Sequence, residues 1–214
     1  MLRTSHHDAP TATQRVQQAG ASQGLDWLWR HLQDVRHPRI LDCGPICQAT
    51  LEVLVKRRTK LYAADLITPA FQNDARFWDR SKKIPLFLVS DFLGQLPEIP
   101  PHSLTAILSW NLLDFVPHDA VPDVIGKLFS LLEPLGVLFC ILRESHITNG
   151  AERRWWLESL NTPRSQADNQ KTFPNPPISN REVERFLPGA SIKTFLTRSG
   201  RREVLAMRPA EGRL

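Results

Sequence analysis

The chain predicts an α/β fold, doubly wound around a mostly parallel sheet, and three observations predict it. Residues 39–66, RILDCGPICQATLEVLVKRRTKLYAADL, read as a strand, a tight turn, a helix and a second strand, which is a βαβ unit. Apolar runs and helical stripes keep alternating downstream of it, the pattern of a parallel sheet with helices on both faces. The chain then closes on two strand-like runs, residues 190–196 and 202–208, separated by Arg198, Ser199, Gly200 and Arg201, a hairpin signal.

Composition narrows the class. A chain of 214 residues with 42% hydrophobic and 23% charged residues fits one soluble domain with a sizeable core. No apolar run approaches the ~20 residues of a membrane span, and no apolar core of a secretory signal stands near the start. We therefore expect no membrane partner and a cytoplasmic location. Three scattered cysteines give no disulfide framework. Cys43 and Cys47 flank the turn without a second Cys/His pair, so they read as small buried side chains in a reducing compartment rather than a zinc site. The net charge of +5 lies wholly between residues 143 and 208, which hold 12 basic and 7 acidic residues, against 15 of each elsewhere. Acids are interspersed there, so the excess reads as a solvated basic face; nucleic acid is not indicated, and a protein partner or a homodimer stays open.

In chain order, residues 1–13 read as a flexible tail, 14–208 as a single domain and 209–214 as a second tail. A helical pattern starts at Gln14, with an amphipathic stripe of Leu25, Leu28, Trp29, Leu32 and Val35 that His37-Pro38 ends. Residues 39–42 form the first strand and Gly44-Pro45 the turn. Leu51, Leu54 and Val55 follow at helical spacing with Cys47 one turn earlier. Residues 60–66 form the second strand, closed by Asp65. The turn lies where ligands of open α/β sheets bind, at the carboxyl edge, and the helix after it offers unpaired N–H groups and a positive dipole end. Asp65 stands 21 positions after Gly44, a spacing that lets an acid accept hydrogen bonds from a ribose. The unit is suited to hold a nucleoside.

Residues 67–83 predict one helix on the sheet. Residues 84–92, IPLFLVSDF, predict a third strand as a near-continuous apolar run, and residues 94–102 a loop. Residues 103–116 predict the fourth strand and its loop, with Ser109, Trp110 and Asn111 at its carboxyl end. Residues 118–132 predict a helix, 133–136 a turn and 137–142 the fifth strand. Residues 145–185 read as a lid or acceptor insertion, in which Arg153, Arg154, Trp155 and Trp156 read as half of an amphipathic helix with its Trp residues packed inward, ahead of the alternative of a cation-stacking surface for a nucleotide. Residues 182–186 predict a final short helix before the hairpin.

At Asp42, Gly44 and Asp65 the chain resembles the class I S-adenosylmethionine-dependent methyltransferases, with a degenerate glycine motif. Their first strand ends D-x-G-x-G-x-G or a variant; Asp42 and Gly44 match it, while Ile46 and Gln48 stand where the later glycines belong. Asp65 matches the acid that ends their second strand. An acid after the third strand meets the adenine amino group in that family and its neighbour packs on the ring, which Asp91 and Phe92 match; Asp91 reads equally as a cap of the next turn. The aspartate that leads their fourth strand is absent, Leu104 or Thr105 standing near its place. Trp110 would line the pocket, or serve as an ordinary core side chain.

The resemblance implies a seven-stranded sheet ending in an antiparallel hairpin. It implies S-adenosylmethionine as cofactor, S-adenosylhomocysteine as product, and Asp42, Gly44, Pro45, Asp65, Leu66, Asp91, Phe92, Ser109 and Trp110 as cofactor-binding residues. The methyl acceptor is unidentified. Transfer by in-line displacement works through proximity and orientation, so no general base is required and none is named. The alternative is a methyltransferase-like binding or assembly protein without catalysis. A dinucleotide-dependent oxidoreductase is disfavoured by the lack of G-x-G-x-x-G.

Overall fold

The sheet forms where apolar runs of strand length recur. The computed structural model describes residues 16–18, 20–197 and 199–210. The predicted tail at 1–13 and residues 211–214 lie outside them; the helix expected from about Gln14 starts only at Gln23, and Val16–Gln18 is a strand instead. In chain order the elements are β1 (Val16–Gln18), α1 (Gln23–His31), β2 (Arg39–Asp42), α2 (Gln48–Lys56), β3 (Lys60–Ala63) and α3 (Ile67–Gln72). Then come β4 (Trp78–Asp79), β5 (Leu86–Phe87), α4 (Val89–Leu93), β6 (Leu104–Trp110), α5 (Val121–Ser130) and β7 (Leu132–Arg143). The chain ends with β8 (Asn149–Ser159), β9 (Thr162–Thr172), α6 (Asn180–Phe186), β10 (Ser191–Leu196) and β11 (Arg201–Met207).

The central sheet runs β10-β11-β7-β6-β2-β3. The pairs β2–β3, β2–β6 and β6–β7 are parallel, and β11 is antiparallel to both β7 and β10. Every residue of β6 is buried, as expected of a central parallel strand covered on both faces. The chain leaves β2 for β3 on one side and returns to β6 on the other. Strand order therefore reverses at β2, and a crevice opens at the carboxyl ends of β2 and β6. Helix α1 starts at Ser22, whose hydroxyl accepts from the Leu25 N–H at 2.9 Å, and lays Leu25, Leu28 and Trp29 against β7, β10 and β11. The predicted helix at 118–132 is α5, with Pro122 in its first turn.

Five further expectations are corrected. The central sheet has six strands, not seven. Of the predicted third strand, only Leu86–Phe87 is extended; it pairs antiparallel with β4, and the following residues coil into α4. Its apolar run is not buried on two faces: Ile84 is 79% and Leu86 43% exposed, while Phe87 and Phe92 turn inward, Phe92 meeting Phe77 at 5.5 Å and Phe87 at 5.1 Å between ring centres. The single helix over 67–83 breaks at Asn73, which takes φ 55°, and the chain continues as a one-turn helix at Ala75–Phe77 and β4. The turn at 133–136 is absorbed into β7 as an irregularity between the Leu104–Leu132 and Ala106–Val137 pairs.

The remaining correction is the lid. Its stretch around Trp155 is a strand, not a helix: β8 and β9 form a long antiparallel hairpin, and β1 adds to β9 to make a second sheet. Ala151, Trp155 and Leu157 are buried while Arg153 and Glu158 face out, a period of two rather than 3.6, with a bulge between Glu152 and Arg154.

Candidate functional site

The reversal of strand order brings Asp42, the Gly44 turn, Asp65 and Trp110 to one edge. Asp42 ends β2 and is buried. Its Oδ1 accepts two bonds, from Gly44 N–H at 3.0 Å and from Trp110 Nε1–H at 2.7 Å. Burial pushes its carboxyl up to about 6, against the pull of those two donors, and the nearby Asp65 charge adds to the rise. Trp110 closes β6 with φ 51° next to a break in register with β7. That backbone turn swings the fully buried indole over β2. A Cβ on Gly44 would lie 3.1 Å from Trp110 Cδ1, a tight contact, so glycine here eases the close approach of an internal side chain. Trp110 stacks on Trp155 at 6.0 Å and meets Phe139 edge-on at 6.0 Å. Of the two readings the sequence leaves open, its contacts are those of the core.

Asp65 follows β3, half-buried, and accepts the Thr68 N–H at 2.8 Å, capping the start of α3. Leu66 is fully buried and its N–H donates to Cys43 O at 3.0 Å, tying the two strand ends together. Pro45 is half-buried and Ile46 is 64% exposed. Between these ends lies a cleft of about 220 Å3 lined by Pro45, Thr68, Phe71, Gln72, Arg153, Arg154 and Gln166.

The β8–β9 hairpin roofs this edge. Leu157 N–H donates to Thr50 Oγ1 on α2 at 3.0 Å, Asn111 Nδ2 donates to Glu152 O at 2.8 Å, and Arg154 Nη2 reaches Ile46 O at 3.4 Å. Beneath it lies a buried charge cluster the sequence reading missed. Glu152 pairs with Arg201, and Asp114 stands 3.8 Å from Arg143. Burial pushes Asp114 up to about 7, Arg143 opposing and Glu152 adding to the rise; burial likewise raises Glu152. The available signal was an isolated charge at each end of an apolar run, Asp114 after Leu112-Leu113 and Arg143 after residues 137–142. A larger cavity, about 430 Å3, lies beyond Trp155, lined among others by Ile141, Phe195, Arg201 and Glu203. It abuts α1, β7 and the terminal hairpin rather than the β2 edge.

Of the nine predicted residues Pro45 lines the cleft, Asp42, Gly44, Asp65, Leu66 and Trp110 stand at the strand ends behind it, and three do not reach that edge. Asp91 is exposed on α4. Phe92 is fully buried among Phe77 and Phe87. Ser109 is buried within the sheet, its hydroxyl donating to Phe139 O at 3.0 Å and lying 3.1 Å from Cys140 Sγ. Asp91 and Phe92 miss because the strand that would carry them to the edge does not form. Ser109 misses because it falls within the irregularity between Leu108 and Trp110 with its hydroxyl turned to β7.

No protein-family model matches the chain, and no curated protein matches it. Solved structures similar to it include 1,6-didemethyltoxoflavin-N1-methyltransferase of Burkholderia thailandensis, solved with S-adenosylhomocysteine, at 15% identity and TM-score 0.47 over 87% of this chain and 76% of that one. A SAM-dependent methyltransferase of Methanosarcina mazei matches at 15% identity and TM-score 0.43 over 82% and 94%. Phosphoethanolamine N-methyltransferase 2 of Haemonchus contortus, also solved with S-adenosylhomocysteine, matches at 10% and 0.45 over 87% and 52%. Likeness of this size assigns no activity, and the reading below rests on the chain's own edge geometry.

Proposed function

We propose that the chain binds S-adenosylmethionine at the carboxyl edge of β2 and β3 and transfers its methyl group to an acceptor, leaving S-adenosylhomocysteine. One observation carries this reading. The sheet reverses at β2, and at that point Pro45 of the turn after β2 and Thr68, whose N–H is bonded to the half-buried Asp65, border one cleft. Asp65 is the ribose-binding acid in this reading. Pro45 and the backbone at Leu66 border the nucleoside, and Phe71 offers a ring face to the base. Asp42 acts one step back: it fixes the Gly44 turn and Trp110 rather than touching the ligand.

The cleft of about 220 Å3 is smaller than the ~300–1,000 Å3 of small-molecule sites. Binding therefore requires the β8–β9 hairpin to lift, releasing the Leu157–Thr50 bond. Gly150, at φ 74° near the base of the hairpin, supplies a turn that other residues rarely adopt. In the transfer the S–CH3 bond breaks as the acceptor's lone pair attacks in line, the sulfonium becomes a neutral thioether, and the acceptor's proton leaves to solvent. The protein's part is alignment and exclusion of water. The acceptor enters the same cleft beneath the lifted hairpin, so that its lone pair reaches the methyl carbon. The cytoplasmic placement rests on the free thiols of Cys43, Cys47 and Cys140. No helix among the described residues is long and apolar enough to cross a membrane.

One observation favours a second reading, a methyltransferase-like binding protein without catalysis: the Trp110 indole packs against the Gly44 turn where a glycine-rich strand end would otherwise stand open. Calorimetry of S-adenosylmethionine and S-adenosylhomocysteine, with Asp65→Ala as control, decides between the two. Micromolar binding lost in the variant supports the enzyme. No heat with either ligand on folded protein overturns it in favour of the binding protein.

A further inference from the structure

The hairpin that roofs the cleft brings cations to it. Arg153 and Arg154 of β8 line the cleft beside Gln166 of β9. Lys171 of β9 holds its Nζ 5.1 Å from the centre of the Phe71 ring, which lines the same cleft. Arg154 leans over the turn after β2, with its Nη2 3.4 Å from the Ile46 carbonyl, so its guanidinium sits directly above the strand end. That single long contact leaves the fork unsaturated: Arg154 Nε is buried with no hydrogen-bond partner among the described residues. No carboxylate is paired with Arg154 or Lys171 in the described ion pairs, although Arg164 on the same hairpin is paired with Glu158.

The floor of the cleft offers few donors of its own. Gly44 is followed by Pro45, which has no N–H, and then by the exposed Ile46. The Gly44 N–H already donates to Asp42. Asp42 is itself buried under Trp110 with its Oδ1 doubly occupied. A ligand carrying a carboxylate is left with the N–H groups that begin at Ile46 below, which carry no full charge, and finds guanidinium and ammonium groups in the roof.

We infer that the β8–β9 hairpin, through Arg154 with Arg153 and Lys171 beside it, holds the carboxylate of the cofactor's amino acid end, supplying the full charge that the turn after β2 lacks. This rests on the reading of the cleft as an S-adenosylmethionine site. It assigns the roof a binding role: the charge that closes the hairpin is brought by the ligand, so occupancy and closure are coupled. A planar guanidinium fits a carboxylate with two parallel bonds, which a Lys at 154 does not reproduce.

The test compares two probes that share a nucleoside and a thioether, S-adenosylhomocysteine and 5′-methylthioadenosine, of which only the first has a carboxylate. Each is titrated by calorimetry into wild-type protein, Arg154→Gln, Arg154→Lys and Lys171→Gln, all checked for unchanged circular dichroism. Wild type is expected to bind S-adenosylhomocysteine at least tenfold more tightly, by a margin that narrows as salt is raised. Arg154→Gln is expected to lose about tenfold or more for S-adenosylhomocysteine and nothing for 5′-methylthioadenosine, with Arg154→Lys in between. Unchanged S-adenosylhomocysteine affinity in Arg154→Gln and Lys171→Gln overturns the inference and leaves the cofactor reading standing. Equal losses for both probes also overturn it, by making Arg154 a support of the hairpin alone. Wild type that binds neither probe removes the cofactor reading and the inference with it.

Discussion

Asp42→Asn changes one atom type at the centre of the site, and its effect on stability follows from the geometry. Both hydrogen bonds that hold the Asp42 side chain end on Oδ1, at 3.0 Å from Gly44 N and 2.7 Å from Trp110 Nε1. An asparagine keeps that oxygen and so keeps both bonds; what it removes is the buried negative charge. The wild-type carboxyl rises from 3.8 to about 6 on folding. A raised folded value means that the native state holds this proton more tightly than the unfolded chain. The contribution to stability is then greatest below pH ~4, declines as pH rises through about 6 and is flat above. About two pH units at 1.36 kcal/mol each gives about 3 kcal/mol as the full cost of ionising Asp42 in place. The amide must find a partner for its Nδ2, which offsets about 1–2 kcal/mol. Asp42→Asn is thus expected to be neutral to mildly destabilising at pH 4.5 and more stable than wild type by about 1–2 kcal/mol at pH 8. Urea unfolding of both proteins from pH 4.5 to 8 measures the difference, in which slopes due to Asp114, Glu152 and Glu203 cancel because both proteins share them. A difference that does not change with pH would refute the reasoning, since it would mean that Asp42 carries no buried charge.

Two further substitutions probe the roof and the sheet. Arg201→Ala strips Glu152, itself 1% exposed, of its partner, and removing one member of a buried pair costs about 3–5 kcal/mol; urea unfolding at pH 8 measures it, with a smaller loss expected as pH is lowered, because burial raises the Glu152 carboxyl and protonation relieves its unpaired charge. Gly136→Ala places a methyl 2.8 Å from both Glu133 O and Leu104 O, backbone atoms that cannot step aside, so a thermal melt is expected to show a loss of about 1–3 kcal/mol or more, and a melt like wild type would contradict the irregular β6–β7 pairing.

The architecture was legible wherever a local pattern and its tertiary setting agree. The βαβ unit at 39–66 declares itself because strand, turn and helix each carry their own signal, and its two strands pair with one another. The capping box of α6, with Ser179 and Glu182 bonded reciprocally, and the Gly200 hairpin are local in the same sense. The failures are of the opposite kind. An apolar run such as 84–92 suits a buried strand and an aromatic cluster equally well, and only the arrival of Phe77 and Phe87 beside Phe92 decides it. Trp155 and Trp156 suit one face of a helix until β9 pairs with their strand and sends them to opposite sides. Of the site, Gly44 and Asp65 stand where the sequence places them at the carboxyl edge, while Asp91, Phe92 and Ser109 do not reach it.

The loss of the third strand and the burial of Trp110 belong together. Without a strand beyond β3, the sheet ends at β3, whose four residues are all half-buried or exposed. A ligand bed on that side must be supplied from elsewhere, and the chain supplies it from the β8–β9 hairpin, which reaches α2 and α3 across the edge. A hairpin that comes down over the strand ends needs an apolar footing, and Trp110 provides it by stacking on Trp155 at 6.0 Å. Once the indole lies there, a glycine at position 44 eases its approach, while Ile46, 64% exposed, no longer needs to be one. The glycine that the sequence keeps and the glycines that it lacks therefore have one physical cause: in this structure the turn after β2 serves the roof, and the roof faces the cleft with Arg153 and Arg154.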